Sequence, residues 1–174
     1  MPTLVLLAGP NGAWKTTFID RFLKRRAETV VFVNPDEVAR DLPGVGAERD
    51  LAAGRRVLER LDALIAAHAS RRGADIVLET TLATRSHARR LRICRAAGYR
   101  IELIYLRLPD AEASIARVRR RVERGGHGIP EATLRRRFPL SLDYLETVYK
   151  PLVDEWEVYA SSDEGLVLLE MSPR

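Results

Sequence analysis

The sequence predicts an α/β protein three layers deep, with helices on both faces of a mostly parallel central sheet. Three observations carry this. Short apolar runs alternate with stretches of helical periodicity along the whole chain, the pattern of successive βαβ units. Several of those runs are rich in Val, Ile and Leu with little polar alternation, as strands buried on both faces require. The first run is followed by a glycine-broken loop and a helical pattern, a unit suited to holding phosphate at a helix N-terminus.

That first unit is Thr3 to Thr17, TLVLLAGPNGAWKTT. The strand breaks at Gly9 and a helix begins at Lys15. Gly9, Lys15 and Thr16 fill the phosphate-binding pattern G-x-x-x-x-G-K-[ST], Gly12 adds a glycine inside it, and Trp14 stands where the second glycine belongs. Glycines keep side chains out of the concavity so that successive N–H groups can converge on phosphate oxygens. The candidate nucleotide-binding residues are therefore Gly9, Asn11, Gly12, Ala13, Trp14, Lys15, Thr16 and Thr17. Lys15 is expected to reach the terminal phosphates of a bound nucleotide as a point charge, and the Thr16 hydroxyl to ligate Mg²⁺. A non-glycine residue at positive φ costs about 1–2 kcal/mol. The indole gains about 25 cal/mol per Å² by burial, so it is expected to fill the phosphate or nucleotide space and close the site. In the alternative it swings outward, and the loop keeps its shape with weakened affinity.

The remaining elements follow in order. Phe18, Ile19, Phe22 and Leu23 continue the first helix, which Lys24, Arg25 and Arg26 end favourably for its dipole. Val30 to Val33 is a strand stopped by Asn34-Pro35, which brings Asp36 to the strand's C-terminal end, before a short helix Glu37 to Arg40. A loop at Leu42 to Gly46 precedes a long helix from Ala47 to about Arg71 with Leu58, Leu61, Ile65 and His68 on one stripe. Asp75 to Thr80 is a third strand, closed by Glu79, a carboxylate that needs a partner there. Thr84 is expected to cap a helix ending near Gly98, with Ala88, Leu91 and Arg95 on its face, Arg85 in its first turn near the ligand edge, and Arg89, Arg90 and Arg92 solvated. Ile101 to Leu108 is a fourth strand, and Pro109-Asp110 opens the next helix. In that helix Ile115, Val118 and Val122 form the apolar stripe, and Arg117, Arg120, Arg121 and Arg124 the opposite, cationic side. The loop Gly125 to Pro130 and the helical turn Glu131 to Phe138, with Arg135, Arg136 and Arg137, predict a mobile arginine lid over about 124–137. Pro139 is expected to kink or restart a helix running to Asp154, with Phe138, Leu142, Leu145, Tyr149 and Leu152 packed on the sheet. Glu155 to Ser161 and Leu166 to Glu170 are two last strands, and Ala160 to Ser162 is assigned to the adenine side by position.

At 174 residues the chain predicts a single domain, residues 1–174, with 46% hydrophobic and 30% charged residues and core enough to fold without disulfides or metal. The lone Cys94 excludes a disulfide framework and is expected to be a small buried hydrophobe. The first apolar run lacks a basic flank and is only a strand long, so it predicts neither a signal peptide nor a membrane span, and a cytoplasmic protein. Net charge is +5. Residues 117 to 137 hold eight arginines against Glu123 and Glu131, so the rest of the chain is nearly neutral. Aromatics are 6%. Arginine concentrated beside a phosphate loop, with few aromatics for stacking, favours phosphate handling over nucleic-acid binding.

Together GPNGAxKTT, VNPDEVAR, VLETTL and GGHGIPEATLRRRF resemble the zeta toxin family of P-loop kinases, in order and over nearly the whole chain. The resemblance implies a P-loop kinase fold with an arginine-rich lid and transfer of a γ-phosphate from ATP or GTP with Mg²⁺ to a sugar hydroxyl of a nucleotide sugar such as UDP-N-acetylglucosamine. It also implies an antitoxin as partner. It carries over Lys15 and Thr16 as phosphate and Mg²⁺ residues, and Asp36 as the carboxylate that takes the acceptor proton. Glu79 and Thr81 carry over as substrate-side contacts, beside Arg85, and Arg121 with one of His127 or Arg135 as lid residues. Trp14 departs from the family pattern, so activity is expected to be weak or absent. The alternatives are an inert nucleotide- or substrate-binding relic and a basic nucleic-acid binder.

Overall fold

A computed structural model describes residues 1–19, 30–35, 38, 42–43, 46–68 and 74–173. The expectations for Asp36, the helix over 37–40, the continuations of the first helix over 20–26 and the long helix over 69–71, and the side chain of His68 lie outside the described residues. The six strands are β1 (Thr3–Ala8), β2 (Val31–Val33), β3 (Ile76–Thr80), β4 (Arg100–Arg107), β5 (Glu155–Ser162) and β6 (Gly165–Met171), in the order β2-β3-β1-β4-β5-β6. The first five run parallel and β6 returns antiparallel to β5. All five parallel strands therefore deliver their C-terminal ends to one edge, where ligands bind in open α/β sheets.

β1 is central, and its residues divide the core. Leu4, Leu6 and Ala8 face one helical layer and Val5 and Leu7 the other, all 7% exposed or less. On the first face lie Val57, Leu61 and Ile65 of α2 (Gly46–His68) and Leu91 and Cys94 of α3 (Ala88–Ala96). On the second lie Phe18 of α1 (Lys15–Phe18), Ile19, Leu106, Leu108 and Phe138. A fully buried Leu contributes about 1.5–3 kcal/mol, so this double burial of one strand fixes its position. α4 (Ala111–Glu123) is capped by the Asp110 carboxylate, which accepts the Ala113 N–H at 2.7 Å. α5 (Glu131–Tyr144) completes a helical hairpin with it.

Several expectations are corrected. The α2 stripe is Ala53, Val57, Leu61 and Ile65, one residue before Leu58, which is half-buried. Thr84 does not cap α3; its hydroxyl accepts the Ser86 N–H in a turn, the helix begins at Ala88, and Arg85 precedes it. Cys94, not Arg95, completes the buried face of α3, while Arg95 reaches the Asp154 carboxylate. Arg90 is not simply solvated: it holds Asp62 of α2 with two hydrogen bonds. Pro139 does not restart a helix, because α5 runs through it to Tyr144; a π turn over Leu145–Tyr149 and a 3₁₀ turn over Lys150–Leu152 follow. Val122 is 45% exposed, the apolar side of α4 being Ile115 and Val118 packed on Leu134 and Ile129. Cys94 is buried, as expected, and burial pushes its thiol up to about 12.

Candidate active site

The loop from Gly9 to Trp14 leaves β1 at the C-terminal edge of the sheet. Gly9 has φ 139, and a Cβ there would lie 2.3 Å from the Leu106 carbonyl oxygen, so no side chain fits between loop and β4. Gly12 has φ 81, and a Cβ there would lie 2.9 Å from that of Arg117, which is where α4 crosses the loop. Trp14 sits at φ 60, ψ 34, the left-handed conformation, and its position begins α1. The loop has thus taken a glycine-compatible backbone despite the side chain. Lys15 is 7% exposed, and its Nζ donates to the carbonyls of Gly9 and Pro10 at 2.9 and 3.0 Å. Thr16 and Thr17 are exposed on the first turn of α1.

The indole does not behave as the sequence predicts. It is 38% exposed, and the Arg117 guanidinium lies 4.1 Å from its centroid. Rather than burying itself against apolar surface, the ring gains a cation–π contact worth about 0.5–2 kcal/mol, comparable to the left-handed strain it carries.

Arg117 is the residue that sequence reasoning missed. On the cationic side of α4 the sequence reading singled out Arg121, but the structure turns Arg117 inward, its side chain 12% exposed. It donates to the Gly12 and Ser161 carbonyls at 3.3 and 3.1 Å and to Asp163 at 3.2 Å. One turn earlier, Ser114 donates to the Asn11 carbonyl at 2.7 Å. Ser161, only 2% exposed, donates to the Ala13 carbonyl at 3.1 Å. The Asn11–Ala13 side of the loop is therefore walled by α4 and the end of β5. The one available signal was spacing, since Ser114 and Arg117 fall on one face of the helix.

The predicted lid residues are engaged elsewhere. Arg121, on the same face as Arg117, donates through Nε and an Nη to the His127 carbonyl at 3.1 and 2.7 Å. Arg135 pairs with Glu112, and Arg119 with Glu131. The segment expected to be a mobile lid is a hairpin stapled by ion pairs and by Ile115, Val118, Leu134 and Ile129.

On the other side of β1, Glu79 is half-buried opposite Leu7, and Asn34 Nδ2 donates to its Oε2 at 3.1 Å. The chain after it is held from beneath. Leu82 is fully buried at φ 56, a strained position for a branched side chain of the kind found at functional sites. The Thr80 hydroxyl accepts the Leu82 N–H, Ser141 donates to the Thr81 carbonyl and Tyr149 to that of Thr84, and Tyr105 meets Ser141 at 2.7 Å. Burial pushes the Tyr105 phenol up to about 12 and raises that of Tyr149, so both stay neutral donors. Arg85, exposed, stacks on Tyr144 at 4.9 Å. Among the described residues no group of three or more metal-ligating side chains gathers. A Thr16 hydroxyl beside bound phosphates is nevertheless the kind of single oxygen ligand Mg²⁺ accepts. No helix among the described residues is long and apolar enough to cross a membrane.

A phosphate loop between β1 and α1, with five parallel strands in this order, defines a P-loop kinase-like α/β protein. The zeta toxin family model matches residues 1–164, and the chain belongs to that family, one of phosphotransferases. An uncharacterized protein of Haemophilus influenzae is 27% identical over 135 residues, 77% of this chain and 91% of its own. The crystal structure of AvrRxo1-ORF1:AvrRxo1-ORF2 with sulphate ions superposes with TM-score 0.71 at 19% identity, over 98% of this chain. That chain is longer, and 58% of it is covered. The same complex with ATP superposes at 0.61, with 18% identity over 98% and 58% of the two chains. The PezAT chromosomal toxin–antitoxin system of Streptococcus pneumoniae superposes at 0.66, 17% identical over 98% of this chain and 71% of that one.

Proposed function

We propose that the protein is an ATP- or GTP-dependent kinase that phosphorylates a sugar hydroxyl of a nucleotide sugar such as UDP-N-acetylglucosamine. The observation that carries this is the loop: Trp14, the N-cap of α1, keeps the left-handed backbone of a glycine, and Lys15, the first residue of α1, holds its ammonium buried against the loop carbonyls. Loop N–H groups and the α1 N-terminus receive the phosphates. Lys15 exchanges the Gly9 and Pro10 carbonyls for the terminal phosphate oxygens, where charge builds during transfer. The Thr16 hydroxyl would hold Mg²⁺, which when bound neutralises charge across the β- and γ-phosphates.

Asp36 accepts the acceptor hydroxyl's proton as the new O–P bond forms and the bond to the departing nucleoside diphosphate breaks. Glu79 and Thr81, with Arg85 beyond them, face the acceptor. Arg121 and Arg135 exchange the His127 carbonyl and Glu112 for the transferring phosphate. Ser161 and Arg117 adjoin the base side of the loop. Support for a nucleotide comes from the family and from a neighbouring fold solved with ATP. Support for an antitoxin partner comes from a neighbour described as a toxin–antitoxin system. The test is product analysis after incubation with Mg²⁺-ATP and UDP-N-acetylglucosamine, expecting ADP and a phosphorylated nucleotide sugar in equal amounts. ADP without phosphorylated sugar would remove the acceptor assignment.

A further inference from the structure

Glu79 is the last residue but one of β3, one strand from the phosphate loop, and a single flexible carboxylate there could take several rotamers. It is held by a neighbour. β2 and β3 pair through Val33 and Leu78, so Asn34 and Glu79 stand opposite each other one step further on, on the same face of the sheet. The Asn34 amide donates to one carboxylate oxygen at 3.1 Å.

The backbone of Asn34 is constrained on the other side. Pro35 restricts the residue before it to extended conformations, and the Asn34 carbonyl accepts the Val38 N–H at 3.1 Å. Its side chain is thereby aimed along the sheet edge at Glu79. An amide N–H to a carboxylate favours the ionised form and fixes its orientation.

We propose that Asn34 is a positioning residue, which holds Glu79 turned so that its carboxylate meets the hydroxyls of a polyhydroxylated acceptor. This rests on the kinase reading for its acceptor and on geometry alone for the Asn34–Glu79 link. Asparagine suits the task because it donates without adding charge. Aspartate has the same shape but would set two carboxylates against each other, which cannot both ionise cheaply.

The experiment uses the full chain and two variants, Asn34→Ala and Asn34→Asp, the second isosteric so that folding is preserved. Carbon-detected NMR of glutamate-labelled protein, with Glu79 assigned through Glu79→Gln, follows its titration. We expect the Glu79 midpoint to rise by about one pH unit in Asn34→Ala and further in Asn34→Asp. In turnover with UDP-N-acetylglucosamine, the acceptor KM should rise roughly ten- to a hundredfold in Asn34→Ala while the ATP KM stays put. Unchanged Glu79 titration in both variants overturns the proposal, as does an unmoved acceptor KM in an active enzyme. If the full chain does not turn over this acceptor, the acceptor assignment fails, and the NMR titration still decides the Asn34–Glu79 link.

Discussion

At the scale of the residue, Trp14 and His87 show how one side chain is fitted to a place that does not suit it. Trp14 accepts left-handed backbone and recovers the cost on Arg117. The stability of Trp14→Gly should therefore be nearly unchanged, the relieved strain and the lost stack each being about 1–2 kcal/mol. On the proposed kinase reading, a base set beside Arg117 would compete with the indole for the guanidinium, so calorimetric titration should find Mg²⁺-ATP bound by the unaltered chain and bound about tenfold more tightly by Trp14→Gly, the scale of one such contact. Equal affinities would contradict that competition. His87 is buried with Nε2 3.3 Å from the Thr80 hydroxyl and Nδ1 without a hydrogen-bond partner among the described residues. Burial, with the Arg90 charge second, holds its pKa down at about 4 against an ordinary 6.5. Between those values the unfolded chain binds a proton that the folded chain does not. Stability should thus fall as pH drops from about 6.5 towards 4, by up to about 3 kcal/mol from this group, and be independent of it above that window. Urea unfolding at pH 7 and pH 4.5 should show a smaller loss for His87→Leu than for the unaltered chain; identical losses would remove His87 from the account.

At the scale of the element, α4 serves two ends of the site. Its N-terminal half is fastened to the loop through Ser114 and Arg117, while the next turn carries Arg121 into the hairpin with α5. Arg117→Ala should weaken nucleotide binding and loosen the loop, measurable as lost ATP affinity with a lowered melting temperature. Arg121→Ala with Arg135→Ala should leave folding almost intact, because exposed ion pairs contribute little, yet lower phosphoryl transfer by roughly 10³ if both reach the transition state. Unchanged turnover would sink their role. The same helix shows what sequence could and could not supply. Period and apolar runs placed every strand and the start of α4 at Pro109-Asp110, since burial and helix starts leave local signatures. Which of many arginines turns inward depends on where α4 crosses Gly12, a tertiary contact with no local trace. Leu82 gave no sign of positive φ because its residue type disfavours it, and Pro139 stays inside a helix because packing on both sides outweighs the lost hydrogen bond.

At the scale of the whole molecule, five parallel strands bring the phosphate loop, Glu79 with Asn34, and the Ser161–Arg117 wall to one edge of one sheet. β1 lies between the carboxylate side and the arginine side, with β3 on one flank and β4 on the other. The proposed kinase reading would set the nucleotide against α4 and β5, the acceptor against β2 and β3, and the transferring phosphate between them over Gly9 to Lys15. The shared edge also explains why GPNGAWKTT, VNPDEVAR and VLETTL were legible together, each following a strand's C-terminal end, whereas GGHGIPEATLRRRF lies in the α4–α5 hairpin and the acceptor is not written in the topology. The most direct measurement is coupled detection of ADP and of phosphorylated UDP-N-acetylglucosamine with Mg²⁺-ATP, on the unaltered chain, Trp14→Gly and Lys15→Ala. The kinase account predicts matched formation of both products by the first two, faster for Trp14→Gly, and a loss of at least about a hundredfold for Lys15→Ala. Neither product from Trp14→Gly, or equal rates with and without Lys15, would contradict it.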